Sequence, residues 1–156
     1  MDSCANSVRD LIFTYKDLLI ETNTFVIPRL NENSLFLDKI RKDYHKFYSI
    51  QTNIYKDKID IEDWETAKTR IDKVIANGDL DTFESYIEAA NILKINDDIL
   101  CNIGSVDQYK GYLQIKESIK RYYPKVKIYP IYMADNHIDG TLMPLTEGVF
   151  LANEMF

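Results

Sequence analysis

Three stretches of the chain set short apolar runs around a small polar turn, and each predicts a β-hairpin. LIFTYKDLLIET, residues 11 to 22, places its runs on either side of Lys16-Asp17. FESYIEAANILKIN, then Asp97-Asp98, then ILCNIG repeats the pattern of strand, polar pair and strand, and TLMPLTEGVFLAN does so around Thr146-Glu147-Gly148. The intervening segments have helical spacing. Asn33 or Ser34 caps a helix whose stripe is Leu37, Ile40, Tyr44, Phe47 and Tyr48, with His45 beside it as a surface residue. A second helix is expected from Ile61 to Ala76, with Ile71, Val74 and Ile75 facing inward and Asn77-Gly78 as its stop. Ser105 and Gln108 form a capping-box pair that opens a third, carrying Tyr109, Leu113, Lys116 and Ile119. VKIYPIYM, residues 126 to 133, reads as a further strand, and Pro130 assigns it to an edge or a bulge.

A weak internal repeat runs through this order. The turn residues Asp17, Asp98 and Gly148 each follow a polar residue, Asp10, Asn91 and Thr141, at the same interval. Each hairpin is preceded by polar or ionisable side chains: Arg9-Asp10, then Glu88 and Asn91, then His137 and Asp139. Repeats arranged about an axis would bring equivalent strand ends together, and with them three carboxylates and an imidazole. Period-two geometry is expected to set His137 and Asp139 on one face of an extended segment while Ile138 packs on the other. A pocket of carboxylates at fixed angles suits a guanidinium, and a histidine paired with a glutamate can move protons during attack on its carbon. Such chemistry also needs a nucleophile, normally a thiolate.

Composition narrows the alternatives. The 156 residues, 46% hydrophobic and 28% charged, have the profile of one globular unit, so residues 1 to 156 are taken as a single segment. No apolar run reaches the ~18 to 20 residues of a membrane span, and Met1-Asp2-Ser3-Cys4 has neither the basic nor the apolar part of a secretory signal. A cytoplasmic setting is therefore expected, with no membrane partner. Cys4 and Cys101 have no metal-ligand spacing and are expected to be free thiols, with no metal site, disulfide or cofactor implied. The net charge of −6 argues against a nucleic-acid partner, and the basic stretch from Lys116 to Lys127 is read as a solvated helix face.

Three of these blocks carry a resemblance. VRDLIFTYKDLLIET, FESYIEAAN and HIDGTLMPLTEGVFLAN, in that order, resemble the glycine amidinotransferase family, within the amidinotransferase and arginine deiminase superfamily, over about Ser7 to Asn153. The resemblance implies an α/β fold: a partial α/β propeller of ββαβ-type modules, about two to three of five blades. It also implies transfer of the amidino group of L-arginine, through a cysteine-bound intermediate, to an amine acceptor such as glycine. Asp10 and Asp139 would be the substrate-binding carboxylates and Glu88 with His137 the catalytic acid–base pair. Glu88 stands where amidinotransferases carry aspartate and deiminase relatives carry glutamate, so hydrolysis of the guanidine is an alternative. Asn91 replaces a second family aspartate and is read as structural. Neither cysteine matches the family's late cysteine block. The chain is therefore expected to be a fragment, one part of a split enzyme completed by a second chain, or a shortened guanidino-binding or assembly module. As a propeller segment it would expose apolar flanks and tend to self-associate.

Overall fold

The computed structural model describes residues 10–24, 37–50, 64–133 and 137–153. Its first hairpin pairs β1 (Ile12–Tyr15) with β2 (Leu18–Glu21), antiparallel, around a two-residue turn in which Lys16 has φ 53°. β2 then pairs in parallel with β3 (Lys46–Ser49), in the register Leu18 to Lys46 through Glu21 to Ser49. The second hairpin, β4 (Ile92–Ile95) and β5 (Asp98–Asn102), is built the same way, and its outer partner is β6 (Ile128–Ile131), parallel to β5. Two ββαβ modules therefore follow one another, and β7 (Leu142–Thr146) with β8 (Val149–Ala152) repeats the opening hairpin of a third. This is the α/β architecture expected of a partial propeller.

The helices depart from expectation where tertiary pairing overrides periodicity. Residues 37 to 48 are not one helix: α1 (Leu37–Ile40) is a single turn, extended by a 3-10 turn over Arg41–Asp43, and the chain then enters β3. Phe47 and Tyr48 fit a helical stripe, but they equally suit a strand, and the fully buried Leu19 and Ile20 of β2 supply the ladder that decides between the two. Asn33 and Ser34 lie outside the described residues. α2 (Trp64–Asn77) ends as expected at Gly78, whose φ of 76° lets it donate to Ile75 O at 3.1 Å while Asp79 N reaches Val74 O at 3.1 Å. Ile71 is buried on its inner face; Ile75 is not, being 45% exposed.

α3 (Val106–Tyr122) begins at Ser105, whose Oγ accepts from Gln108 N at 3.1 Å while Gln108 Oε1 accepts from Gly104 N at 2.6 Å. Its buried face is Val106, Tyr112, Ile115 and Ile119, one step round from the expected stripe, and Lys116 lies outside with its ammonium over the Tyr112 ring. Tyr15, Leu18 and Ile20 of the first module share one apolar core with Ile99, Cys101, Tyr112 and Ile115 of the second. Pro130 sits in β6, an edge strand of its sheet, where its missing N–H is tolerated. β7 and β8, bulged between Pro144 and Thr146, leave Met143, Leu145, Val149, Phe150 and Leu151 exposed. No helix among the described residues is long and apolar enough to cross a membrane.

Residues 83 to 88 are not strand. β4 begins only at Ile92, and the second turn is Asn96-Asp97, with Asn96 at φ 53°. The polar groups of the earlier segment are engaged elsewhere: Glu84 N donates to Asp107 Oδ1 at 2.8 Å, Tyr86 N to Asp107 O at 3.1 Å, and Ser85 Oγ accepts from Gln114 Nε2 at 2.7 Å. Side chains and carbonyls of α3 thus replace a β ladder. The segment crosses α3 so closely that a Cβ on Gly111 would lie 2.5 Å from Tyr86 O.

Candidate active site

The docking of residues 83 to 88 on α3 carries Glu88 to the start of the second hairpin, just ahead of the 3-10 turn Ala89–Asn91. His137 holds the corresponding place ahead of the turn Ile138–Gly140 and the third hairpin, and Asp10 lies in the turn that leads through Leu11 into β1. The same local device, a tight turn feeding a hairpin, presents a polar side chain at each strand start.

Glu88 and His137 meet. His137 Nε2 is 2.6 Å from Glu88 Oε2, across 49 residues of sequence, with the Glu88 side chain 3% and that of His137 36% exposed. The second carboxylate oxygen, Oε1, accepts the hydroxyl of buried Thr24 at 2.5 Å, and Tyr86 is close enough to favour the ionised carboxylate as well. Burial alone would raise the Glu88 carboxyl. The hydrogen bonds from His137 and Thr24, the imidazolium charge and Tyr86 together outweigh it and hold the group below the ordinary carboxylate range. The hydrogen bond to Glu88 raises His137 above an ordinary histidine; partial burial opposes this, and the charges of Glu88, Asp10 and Asp139 reinforce it. Each partner thus favours the charged form of the other, carboxylate beside imidazolium.

Asp10 and Asp139 thus lie within electrostatic reach of the imidazole, Asp10 buried and Asp139 half-buried. The extended His137-Ile138-Asp139 segment does not form: Asp139-Gly140 belongs to a 3-10 turn closed by Thr141 N donating to Ile138 O at 3.0 Å. Ile138, fully buried, anchors that turn, and Thr141 Oγ1 donates to His137 O at 3.3 Å. An open cavity of about 350 Å³ begins at Asp139 and Thr141 and runs beside Met143 and Leu151 to Asn153.

Of the two cysteines, only Cys101 is among the described residues. Cys101 is fully buried in β5, and burial pushes its thiol far above the range in which a thiolate forms. Cys4 lies outside the described residues. Asn91 is buried and accepts from Asn102 Nδ2 at 3.4 Å, a link between strand ends of one hairpin.

Sequence reasoning missed the segment Thr22-Asn23-Thr24, which follows β2 and binds the backbone around Glu88. Thr22 Oγ1 donates to Asp10 O at 3.1 Å and accepts from Ala89 N at 3.2 Å. Asn23 Nδ2 donates to Ser85 O at 2.7 Å and its Oδ1 accepts from Ile87 N at 2.9 Å. The available signal was the polar run Glu21-Thr22-Asn23-Thr24 directly after the apolar Leu18-Leu19-Ile20.

The fold is similar to that of solved amidinotransferases and of dimethylarginine dimethylaminohydrolase. Its relatives among solved structures include dimethylarginine dimethylaminohydrolase from Pseudomonas aeruginosa, determined with citrulline, which aligns over 95% of this chain and 46% of its own at TM-score 0.62 and 13% identity. An amidinotransferase of the saxitoxin biosynthetic pathway of Microseira wollei aligns over 94% of this chain and 42% of its own, at TM-score 0.59 and 16% identity. The inosamine-phosphate amidinotransferase of Streptomyces griseus aligns over 94% and 40%, at TM-score 0.56 and 18% identity. The chain thus spans less than half the length of these structures, and the likeness is one of fold. No protein-family model and no curated protein matches the sequence.

Proposed function

We propose that this chain carries the guanidinium-handling part of an amidinotransferase, in which Asp10 and Asp139 orient the guanidinium of L-arginine and Glu88 with His137 manages protons. The contact of buried Glu88 with half-buried His137, with both aspartates in electrostatic reach, carries the reading. In the complete reaction a thiolate attacks the guanidinium carbon, the bond from that carbon to the ε nitrogen breaks, and ornithine leaves with the proton that His137 donates. The amine acceptor, glycine or a related amine, then gives a proton to the imidazole and attacks the same carbon, which releases the thiolate. Burial of Cys101 argues against it as that thiol, and neither it nor Cys4 matches the cysteine block of the resembled family, so the reading assigns the thiol to a further segment or a second chain. The free buried thiol fits a reducing, cytoplasmic setting.

One observation favours a second reading. A glutamate rather than an aspartate pairs with His137, as the resemblance associates with deiminases, and a hydrolase would expel ammonia and release citrulline. A third use of the same pocket, guanidino binding without turnover, agrees with the burial of Cys101.

Calorimetric titration of the chain with L-arginine tests the shared premise. Saturable binding, weakened at least tenfold by Asp10→Asn and by Asp139→Asn, is expected. Absence of binding, or binding indifferent to both substitutions, would overturn it. The chain alone should form neither ornithine nor citrulline, and reproducible formation of either would sink the argument for an external thiol.

A further inference from the structure

Glu88 has two carboxylate oxygens, and only one faces the imidazole. Oε2 pairs with His137 at 2.6 Å, while Oε1 accepts the Thr24 hydroxyl at 2.5 Å. Thr24 is itself buried, and the residues ahead of it are fastened to the same loop: Thr22 Oγ1 accepts from Ala89 N, Asn23 exchanges side-chain hydrogen bonds with Ser85 and Ile87, and Asn23 N donates to Ile87 O at 3.3 Å. These bonds span the gap between the first module and the second, so the Thr24 hydroxyl cannot move without the loop that bears Glu88.

We propose that Thr24 is a positioning residue of the Glu88–His137 pair, occupying Oε1 so that the carboxylate presents Oε2 to the imidazole in a fixed orientation and remains ionised beside it. The inference rests on reading Glu88 and His137 as the proton-handling pair, and it assigns the first module a part in setting that pair's proton affinity. Among the described residues, the groups acting on Glu88 are the imidazole of His137, the hydroxyl of Thr24 and Tyr86, with Asp10 and Asp139 acting on the imidazole from the starts of the first and third hairpins. A hydroxyl that donates to a carboxylate favours its charged form, and an acceptor oxygen left bare inside the protein disfavours it.

The test is an NMR titration of the His137 ring in the whole chain. The chain has two histidines, and His45→Gln removes the other signal. In the parent protein the ring resonance should carry an acidic limb that marks protonation of Glu88; Glu88→Gln should abolish it and so identify it. Thr24→Val should move that limb up by about one pH unit, a tenfold change in proton affinity, and Thr24→Ser should return it to the parent position. Coincidence of the Val and parent limbs would overturn the proposal. Should the valine variant not fold, the parent protein still decides: a slowly exchanging Thr24 hydroxyl proton, lost as Glu88 protonates, is expected, and a freely exchanging one refutes the assignment. No arginine enters the measurement, so its failure is distinct from failure of the functional reading.

Discussion

Replacing Glu88 with glutamine keeps the side chain's shape and leaves an amide oxygen for the Thr24 hydroxyl, so what is lost is the charge that faces His137. A hydrogen bond between charged groups contributes about 1.5–3 kcal/mol and a neutral one about 0.5–1.5 kcal/mol. The expected loss is their difference, about 1 kcal/mol, at the low end because the His137 side chain is 36% exposed and water screens its outer side. The sign depends on pH. The Glu88 carboxyl is held below its ordinary value of 4.5, so its stabilisation is present above that value and is lost as pH falls through the folded one. His137 is held above its ordinary 6.5, so its stabilisation is complete below that value and is lost as pH rises through the folded one. The pair therefore contributes most between those two ordinary values. On the alkaline side Glu88 keeps a buried charge without an imidazolium, and glutamine relieves that burial. Urea unfolding followed by circular dichroism should find Glu88→Gln less stable by about 1 kcal/mol near pH 6, with the gap narrowing as the pH is raised towards 9. A gap of equal size at both pH values would refute the assignment of an ion pair.

Further predictions concern the surroundings of the pair. Gly111→Ala puts a methyl carbon 2.5 Å from Tyr86 O, which should cost about 1–3 kcal/mol by thermal denaturation and displace the His137 ring resonance in the folded protein. In a Cys4→Ser background the Cys101 thiol should resist a disulfide reagent until the chain is unfolded, and rapid labelling under native conditions would contradict its burial in β5. Leu145→Lys with Leu151→Lys, at 59% and 57% exposure, should lower binding of an apolar dye and self-association by light scattering while leaving the circular dichroism spectrum unchanged.

Legibility in the sequence followed the range of the interactions involved. The hairpin at residues 12 to 21 and the Ser105-capped helix were readable because turn, cap and period all lie within a few neighbouring positions. Residues 46 to 49 were misread because Phe47 and Tyr48 satisfy both periods, and the choice belongs to β2, far behind them in the chain. Glu88 and His137 were visible as ionisable residues ahead of apolar runs, a local mark. Thr24 carried no such mark: it earns its place only through a partner 64 residues away, and a threonine after a strand otherwise reads as loop.

The parallel outer strands have a kinetic consequence. β3 and β6 cannot pair until their crossovers close, whereas each hairpin needs only its own turn. The Thr24–Glu88 and His137–Glu88 contacts, spanning 64 and 49 residues, have still higher sequence separation and gain nothing until neighbouring modules dock. In refolding, hairpin and α3 signals should therefore precede the His137–Glu88 signature, which becomes a late reporter of assembly. Destabilising the module junction would part Glu88 from His137 before it melts any strand.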